Sequence, residues 1–408
     1  MKMEMYCSPT LPLARHSEAI LAFSGINWYN NKTFIEGVIL VAKRITRIVL
    51  TGGPAAGKTT LISRILKEFK QDDGWKVITI PETATDLISG FGIRPFGNCV
   101  SMLDFQYFVI DDQLHKERLA LKAAQMVPEE NVLVIYDRAL FDDKAYITDE
   151  EFREVLASFG TTEAEILTHY DAVLHLVTCA KGAEFAYNFG NEARYEPVER
   201  AREMDDRTLR AWSGHPNLHV IDNSVDFEDK IHRGLNAIYE IVGHPAPMET
   251  KRKYLIAMPE LKVLEEKYGA VPVDMMQTYL LETNPQVERR VRQQRNGSEY
   301  LYFYTEKRMT DSGKWETERP ISQKAYIQYL MEGDSSLHAV HKLKYRFTYE
   351  RQSFAIDVYP FCKDKALMRV ALPAEQEHVV LPPELTILEE VTGRPEYKNR
   401  FLASSQQL

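Results

Sequence analysis

The chain has 408 residues, 44% hydrophobic and 27% charged, a folded composition that leaves out wholesale disorder and collagen-like repeats. Fifty Lys and Arg against 59 Asp and Glu leave a net charge of −9, so broad nucleic-acid binding is not expected, and no apolar run is long enough to span a membrane. At roughly one domain per 150 residues, two or three domains are expected. Cys7, Cys99, Cys179 and Cys362 lie too far apart for a metal site or disulfide framework, which fits a reducing cytoplasm. The N-terminus lacks the basic, apolar and small-residue succession of a secretion signal.

Residues 1–44 mix SEAILAF and FIEGVILVAK without a cap, period or partner and receive no function. From Ile45 the runs ITRIVL, KVITI, NVLVIY, DAVLHLV and LHVI alternate with stretches of helical spacing. Near-continuous apolar strands between helices predict an α/β fold with a parallel sheet covered on both faces. VGHPAPMET, Val242 to Thr250, breaks this pattern with two prolines and a glycine, which puts a linker at 243–248. Domains are therefore expected at 45–242 and 249–408. In the second, KRKYLIAM, VERRVRQQ, YLYFYTEK, HKLKYRFTYERQ and SFAIDVYPF alternate polar with apolar residues, the period of antiparallel strands, and NGSE and DSGK read as hairpin turns.

The most specific signal is TGGPAAGKTT, Thr51 to Thr60, which contains G-x-x-x-x-G-K-[ST] between a strand ending at Leu50 and the helical LISRILKEF. Gly52, Gly53, Pro54, Ala55, Ala56 and Gly57 would turn backbone N–H groups toward a phosphate, with Lys58 on the β/γ-phosphates and the Thr59 hydroxyl on Mg²⁺, Thr60 following. The bland alternative is a tight strand-to-helix turn that happens to contain GKT. Asp137, at the end of NVLVIYD, is placed to hold Mg²⁺ through water, and Arg138 beside it to meet a phosphate or carboxylate; otherwise Asp137 caps the next turn. Glu82, just past KVITI at the carboxyl edge of the sheet, either accepts a proton from a substrate hydroxyl or caps the following helix.

TGGPAAGKTT, IPETATDLI, DFQYFVIDDQ, IYDRALFDDKAY and NEARYEPVERAREMDDRTLRAW together resemble the P-loop kinase-like domain shared by NadR-type nicotinamide-riboside kinases and the translocation-defect family of AAA-type ATPases. The resemblance implies Mg²⁺ with ATP or GTP, and a lid whose arginines cover the transferred phosphate: Arg194, Arg200 or Arg202. The alternative for these three is a solvated helix face partnered by Glu196, Glu199 and Glu203. The strand ends in Asp137-Arg138, not the paired acids usual in AAA+ motors, so a substrate kinase or nucleotide switch is expected. No N-K-x-D motif reads the base.

Residues 249–403 resemble the CYTH family of triphosphate tunnel enzymes, through ETKRKYL, VERRVRQQ, Lys307 of YTEKR, ETERPIS with Arg319, HKLKYRF, FAIDVY and EEVTGRPEYKN. The resemblance implies an α+β domain built on an eight-stranded antiparallel barrel whose lumen binds polyphosphate with bases and metal with glutamates. Period two alone places Lys251 with Lys253, Arg290 with Arg292, and Lys342, Lys344 and Arg346 on single faces. A half-exposed sheet would turn those bases to solvent; a closed barrel would crowd them in a lumen. Lys251, Arg369 and Ala371 stand where the family places acids, and Glu249, Glu316, Glu318, Asp357 and Glu390 remain as metal-ligand candidates. The tunnel is therefore expected to bind a phosphorylated anion, such as polyphosphate, a phosphometabolite or a lipid head group, without cleaving it. The partners are then a nucleoside triphosphate and that anion; peripheral membrane contact stays open.

Overall fold

The structure, a computed structural model, describes residues 32–35, 38–41, 43–69, 74–97, 99–183, 197–243, 250–282, 284–296, 299–310, 313–350, 352–372 and 379–408. Packing divides the chain into two compact units, Met1–Lys43 and Arg44–Leu408. In the first, β1 (Lys32–Ile35) and β2 (Val38–Val41) pair as an antiparallel hairpin that no turn signal announced.

The larger unit begins with a parallel sheet of β3 (Arg44–Thr51), β4 (Trp75–Ile80), β5 (Asn131–Asp137), β6 (Ala172–Leu176) and β7 (Leu218–Ile221), in the order β4-β5-β3-β6-β7. Its helices are α1 (Lys58–Glu68), α2 (Thr83–Asp86), α3 (Met102–Met126), α4 (Leu140–Asp143), α5 (Asp149–Ser158), α6 (Glu163–Leu167), α7 (Val198–Trp212) and α8 (Phe227–Val242). Ile48, Val49 and Leu50 in the middle strand are all fully buried, so neither sheet face can be left bare. Ile48, Leu50, Leu133 and Ile135 pack on Leu61 and Ile65 of α1 and Ile231 and Leu235 of α8. Val49, Val132 and Val134 belong to a second core with Ile110 of α3, Phe141 of α4 and Trp212 at the end of α7. Because β3 and β5 are neighbours, with Leu50 in register with Asp137, the phosphate-loop strand and the aspartate strand deliver their ends side by side.

Residues 244–249, most of the expected linker and Glu249 with it, lie outside the described residues. The second part is one antiparallel sheet: β8 (Thr250–Ala257), β9 (Val273–Tyr279), β10 (Val287–Asn296), β11 (Glu299–Thr310), β12 (Gly313–Ile321), β13 (Val340–Tyr349), β14 (Gln352–Val358), β15 (Lys365–Leu372) and β16 (Ile387–Glu390), ordered β12-β11-β10-β9-β13-β14-β15-β8-β16. Strand content and antiparallel pairing match the expectation, but the described residues form nine strands where the resemblance implies eight. Among the described residues no ladder joins β12 to β16, so closure by hydrogen bonds is not seen.

One face of this sheet packs Tyr345, Phe347, Phe354, Ile356 and Met368 into an apolar core closed by Leu264 of the helix Leu261–Glu266. The other face carries Lys342, Lys344, Arg346, Asp357 and Arg369, which the strand register brings together. Lys342 and Asp357 are buried, so the half-exposed sheet with solvated bases is not what forms. Both faces are covered, one by hydrocarbon and one by internal ion pairs.

The two parts are packed together. Leu301 and Phe303 of β11 join the core that holds Trp212. Arg346 Nη1 donates to the Ser213 carbonyl at 3.1 Å, Gln294 donates to the Gly214 carbonyl, and Ser353 N–H donates to Asp222 Oδ2 at 2.7 Å. Trp212 is fully buried, lies 5.2 Å from Phe141 and 5.5 Å from Tyr170 between ring centroids, and donates Nε1–H to Asp142 Oδ2 at 3.1 Å. Trp212→Ala is expected to cost about 3–5 kcal/mol, since it opens a large cavity and leaves a buried carboxylate oxygen short of a donor. Denaturant unfolding monitored by circular dichroism tests this; a loss below about 1 kcal/mol would show that the core closes over the gap without help from the indole.

Candidate functional site: the phosphate loop and an enclosed cationic sheet face

Residues Thr51 to Gly57 leave β3 at the carboxyl edge of the sheet and enter α1 through Gly57, which has φ 96°. Gly52 has φ 128°, and a Cβ there would lie 1.9 Å from the Leu176 carbonyl oxygen, so only glycine fits against β6. Lys58 begins α1 and folds back over the loop, donating to the carbonyls of Gly52 at 3.2 Å and Gly53 at 3.1 Å. Burial, together with the nearby Arg138 cation, lowers the Lys58 ammonium to about 8 against the pull of Asp137 and Glu82. Thr59 and Thr60 are exposed on the first turn, where a ligand can reach their hydroxyls.

Asp137 sits in register with Leu50, and its Oδ1 is buried without a hydrogen-bond partner. Burial raises the Asp137 carboxyl despite Lys58 beside it. An orphaned carboxylate oxygen next to a phosphate loop is chemistry that a hard cation would complete, so the residues present fit Mg²⁺ held by Thr59 and Asp137. Among the described residues no cluster of three or more His, Cys, Asp or Glu side chains forms an all-protein metal cage. Phosphate oxygens and water would have to supply the remaining ligands.

Arg138 adopts φ 66°, in the left-handed region that costs a side-chain-bearing residue energy. It is held there by Glu82 Oε1, 2.7 Å from Nε, and by Asp142 Oδ1, 3.0 Å from Nη1. Burial would raise the Glu82 carboxyl, but Arg138 and Lys58 outweigh it and keep Glu82 ionised below its ordinary range. Glu82 forms no side-chain cap on α2, which disfavours the bland capping role. Asp142, which sequence reasoning missed, is buried and accepts from Thr51 Oγ1 at 2.5 Å, Ala139 N–H at 3.0 Å, Arg138 and Trp212. Its only signal in the sequence was a second acid five residues after Asp137.

The lid arginines fare differently. Arg194, together with Glu196, lies outside the described residues. Arg200 pairs with Glu203 at 2.8 Å on the exposed side of α7, as the solvated-face alternative expects, and Arg202 Nε donates to the Ala180 carbonyl at 2.7 Å. The residue of α7 that does reach the phosphate loop is Asp205, also missed. Fully buried, its Oδ1 accepts the N–H groups of Gly53 and Thr178, each at 2.9 Å, with His175 Nε2 3.3 Å away, and its Oδ2 takes Lys181 Nζ at 3.0 Å. Burial would push this carboxyl up, but Lys181, His175 and the Gly53 N–H prevail and hold it far below the carboxylate range.

On the charged face of the antiparallel sheet, Asp357 Oδ2 meets Lys342 Nζ at 3.0 Å and Arg369 Nη2 at 2.7 Å, with Lys344 3.9 Å from Oδ1. Glu318 meets Arg292 at 2.7 Å, and Glu288 lies 3.5 Å from Arg290 and 3.8 Å from Lys307. Lys253 donates to the Tyr397 carbonyl at 2.6 Å. Burial, then the charge of Arg369, lowers Lys253 to about 8; burial lowers Lys342 to about 8, and burial with Arg369 lowers Arg346 to about 10.

Two expectations are corrected. Arg319 is in register with Tyr304, on the opposite face from Glu318, and stacks over the Tyr304 ring at 5.0 Å while donating to Tyr329 Oη, so it is no part of the cationic face. Glu390 is in register with Tyr254 and lies 3.9 Å from Arg252, likewise on the outward side, so it is no metal-ligand candidate. The side chains of Lys251, Glu316 and Ala371 lie outside the described residues.

A family described as "AAA domain" matches residues 47–230. No curated protein matches. Among solved structures, an inorganic triphosphatase is 27% identical, with 39% of this chain and 96% of that chain covered and a TM-score of 0.30. Thymidylate kinase from Ehrlichia chaffeensis is 15% identical over 48% of this chain and 99% of that chain, TM-score 0.33. A protein from Pyrococcus horikoshii is 13% identical over 31% of this chain and 80% of that chain, TM-score 0.24.

Asp205→Ala removes the acceptor of two backbone N–H groups and one of the two carboxylates that hold Lys181. A loss of about 3–5 kcal/mol is expected, as for one partner of a buried pair. Asp205→Asn keeps an acceptor for the backbone and should lose clearly less. Equal unfolding free energies for the two variants would show that Asp205 does not anchor the loop.

Proposed function

We propose that the chain binds Mg-ATP or Mg-GTP in its P-loop domain, with slow hydrolysis, and that its second domain binds a phosphorylated anion without cleaving it. The observation that carries the first half is the convergence of Lys58, the orphaned Asp137 Oδ1 and the strained Arg138 around one phosphate loop. The resemblance to NadR-type and translocation-defect P-loop domains and the AAA-domain match over 47–230 agree with it. Lys58 would exchange the Gly52 and Gly53 carbonyls for phosphate oxygens, the backbone N–H groups at the start of α1 would donate to the phosphate, and Asp142 would hold Thr51 and Arg138 in place. Mg²⁺, held by Thr59 and Asp137, would neutralise phosphate charge.

The second half rests on an electrostatic imbalance. Lys342, Lys344 and Arg369 gather on the single carboxylate group of Asp357, and Lys253, Lys342 and Arg346 are each pushed toward losing a proton. Buried cations in excess call for an anion, not for a divalent metal. Arg369 occupies with its guanidinium the carboxylate that a metal would need. The expected ligand is polyphosphate, a phosphometabolite or a lipid head group, and the expected setting is the cytoplasm. Among the described residues no helix is long and apolar enough to cross a membrane.

A kinase for a nucleoside-like acceptor is the second reading, because Glu82 stands ionised beside Lys58 at the carboxyl edge of the sheet. Its ion pair with Arg138 makes Glu82 an orienting group first and a proton acceptor only when a substrate hydroxyl displaces the guanidinium. Turnover that rises many-fold with an acceptor and disappears in Glu82→Gln, while basal hydrolysis continues, would establish it.

Lys58→Ala should weaken Mg-ATP and Mg-GTP binding by a factor on the order of 10 to 100 with the fold retained. Calorimetry showing unchanged affinity for both would remove the phosphate-loop assignment. In that same variant, tripolyphosphate should still bind with EDTA present, and no phosphate should be released with Mn²⁺. Metal-dependent release would make the second domain a triphosphatase.

The pH dependence has a definite sign. Lys253 and Lys342 titrate near 8 in the folded protein against an ordinary 10.5, so between pH 8 and 10.5 the unfolded chain binds more protons and their contribution to stability rises with pH. Anion affinity runs the other way, falling as pH passes 8 and the two ammonium groups discharge. Tripolyphosphate titrations of Lys58→Ala protein at pH 7 and 9.5 test this, and equal affinities would place the anion elsewhere.

A further inference from the structure

We propose that the cleft between the P-loop part and the antiparallel sheet is a separate effector site for a small, multiply charged oxyanion. The cleft has a volume of about 340 Å³ and takes its walls from the segment after α4, the end of α7, the approach to β9 and the end of β10. That volume lies at the small end of the range for ligand pockets, roughly 300–1,000 Å³, and junctions between domains are where such pockets concentrate.

Lys144, Arg207, Arg210 and Arg295 line it together, against Asp149. Arg207 and Arg210 are three residues apart on α7 and so share a helix face. Two of the cations are seated from behind. Glu163 holds Lys144 Nζ at 2.8 Å, and the Gly269 carbonyl accepts from Arg210 Nε at 3.3 Å. Gly269 has φ +64°, a left-handed conformation that favours glycine, and its carbonyl is the one that Arg210 reaches. Lys144 is also 3.6 Å from Asp149, and Arg207 is 3.7 Å from Glu203, so an oxyanion with two or more negative charges entering this concave surface would exchange part of that pairing for charge-assisted hydrogen bonds from several cations at once. Phosphoryl and carboxylate groups share this chemistry.

The position gives the site its consequence. Ser213 and Gly214, which also line the cleft, are the residues whose carbonyls accept from Arg346 and Gln294 of the cationic sheet face. Trp212 just before them is bonded to Asp142 behind the phosphate loop. An anion in the cleft therefore ties α7 to the antiparallel sheet at the joint through which the two proposed binding sites are connected, without entering either one.

Hydrogen exchange on the full chain tests this, with inorganic pyrophosphate and citrate as probes. In the wild-type protein at least one probe should slow exchange in peptides covering 144–149 and 207–214. Protection by pyrophosphate alone assigns the site to phosphoryl groups, and protection by citrate as well assigns it to multivalent oxyanions in general. The double variant Arg207→Ala/Arg210→Ala should need on the order of tenfold more probe or greater. Val271→Trp, which fills the cleft from an exposed wall position and changes no charge, should block the protection even if the double variant proves unstable. Mg-nucleotide protection of residues 51–60 should be the same in all three proteins, and its absence from the wild type would count against the P-loop reading alone. Absence of cleft protection by either probe, or protection unchanged in Val271→Trp, overturns the proposal.

Discussion

The carboxylate of Asp205 is the constraint on which the arrangement of this molecule turns. It is a fully buried acid between strand ends, and an isolated charge there would be very costly. Four neighbours offset that cost at once: the Gly53 N–H from the phosphate loop, the Thr178 N–H from the segment after β6, and His175 and Lys181 as cationic or polar partners. Because α7 carries Asp205, the helix, the loop and the edge of the sheet are fixed relative to one another by one group. Lys181 extends the contact further, to Asp206 and to Thr348 Oγ1 at the end of β13. The phosphate loop is thus held from behind by the same helix that, at its other end, meets the antiparallel sheet.

The legible part of the fold was the part with period. ITRIVL and NVLVIY are continuous apolar runs because both faces of β3 and β5 are covered, and HKLKYRF alternates because β13 separates hydrocarbon from charge. TGGPAAGKTT was legible because its glycines answer a local steric demand, seen at Gly52 against the Leu176 carbonyl. What alternation could not reveal is which side of the alternating strands would be wet. Lys342 and Lys344 have the pattern of a solvated face, and their enclosure depends on strands distant in sequence together with the docking of the P-loop part. Asp142 and Asp205 escaped for the same reason: each is one acid among several in its segment, and its role depends on donors distant in sequence, Thr51 and Trp212 for Asp142, Gly53 and Thr178 for Asp205. Arg319 shows the opposite error, a base in a matching segment whose register points it at Tyr304.

The cationic sheet face shows how a charged interior is made tolerable. Asp357 is the acid that Lys342, Lys344 and Arg369 share, and removing it would leave these three cations without that common partner. Arg369 does for Asp357 what a divalent ion does for a pair of carboxylates, but it is covalently part of the chain and cannot generate a nucleophilic water. With Arg369 in place, Asp357 Oδ2 is already paired within the chain. Burial, with the Arg369 charge nearby, lowers the Lys253 and Lys342 ammonium groups.

Of the bonds that cross from the P-loop part to the antiparallel sheet, two sets begin at different points around the phosphate loop. One runs from Gly53 through Asp205 and Lys181 to Thr348. The other runs from Thr51 and Arg138 through Asp142 and Trp212 to the Ser213 and Gly214 carbonyls, where Arg346 and Gln294 attach. Thr348 and Arg346 lie on one strand with Lys344 and Lys342, so both sets reach β13, the second also reaching β10 through Gln294. Spatial connection is not coupling in itself; coupling requires that a ligand interact differently with two arrangements of the same element. Lys58 and Arg346 meet that requirement in kind, because each now spends its donors on backbone carbonyls and each would have to turn toward phosphate oxygens to bind an anion. Release of the Ser213 carbonyl by Arg346 loosens the end of α7, and any effect of that on the phosphate loop must be matched by an equal effect of nucleotide on the cationic face.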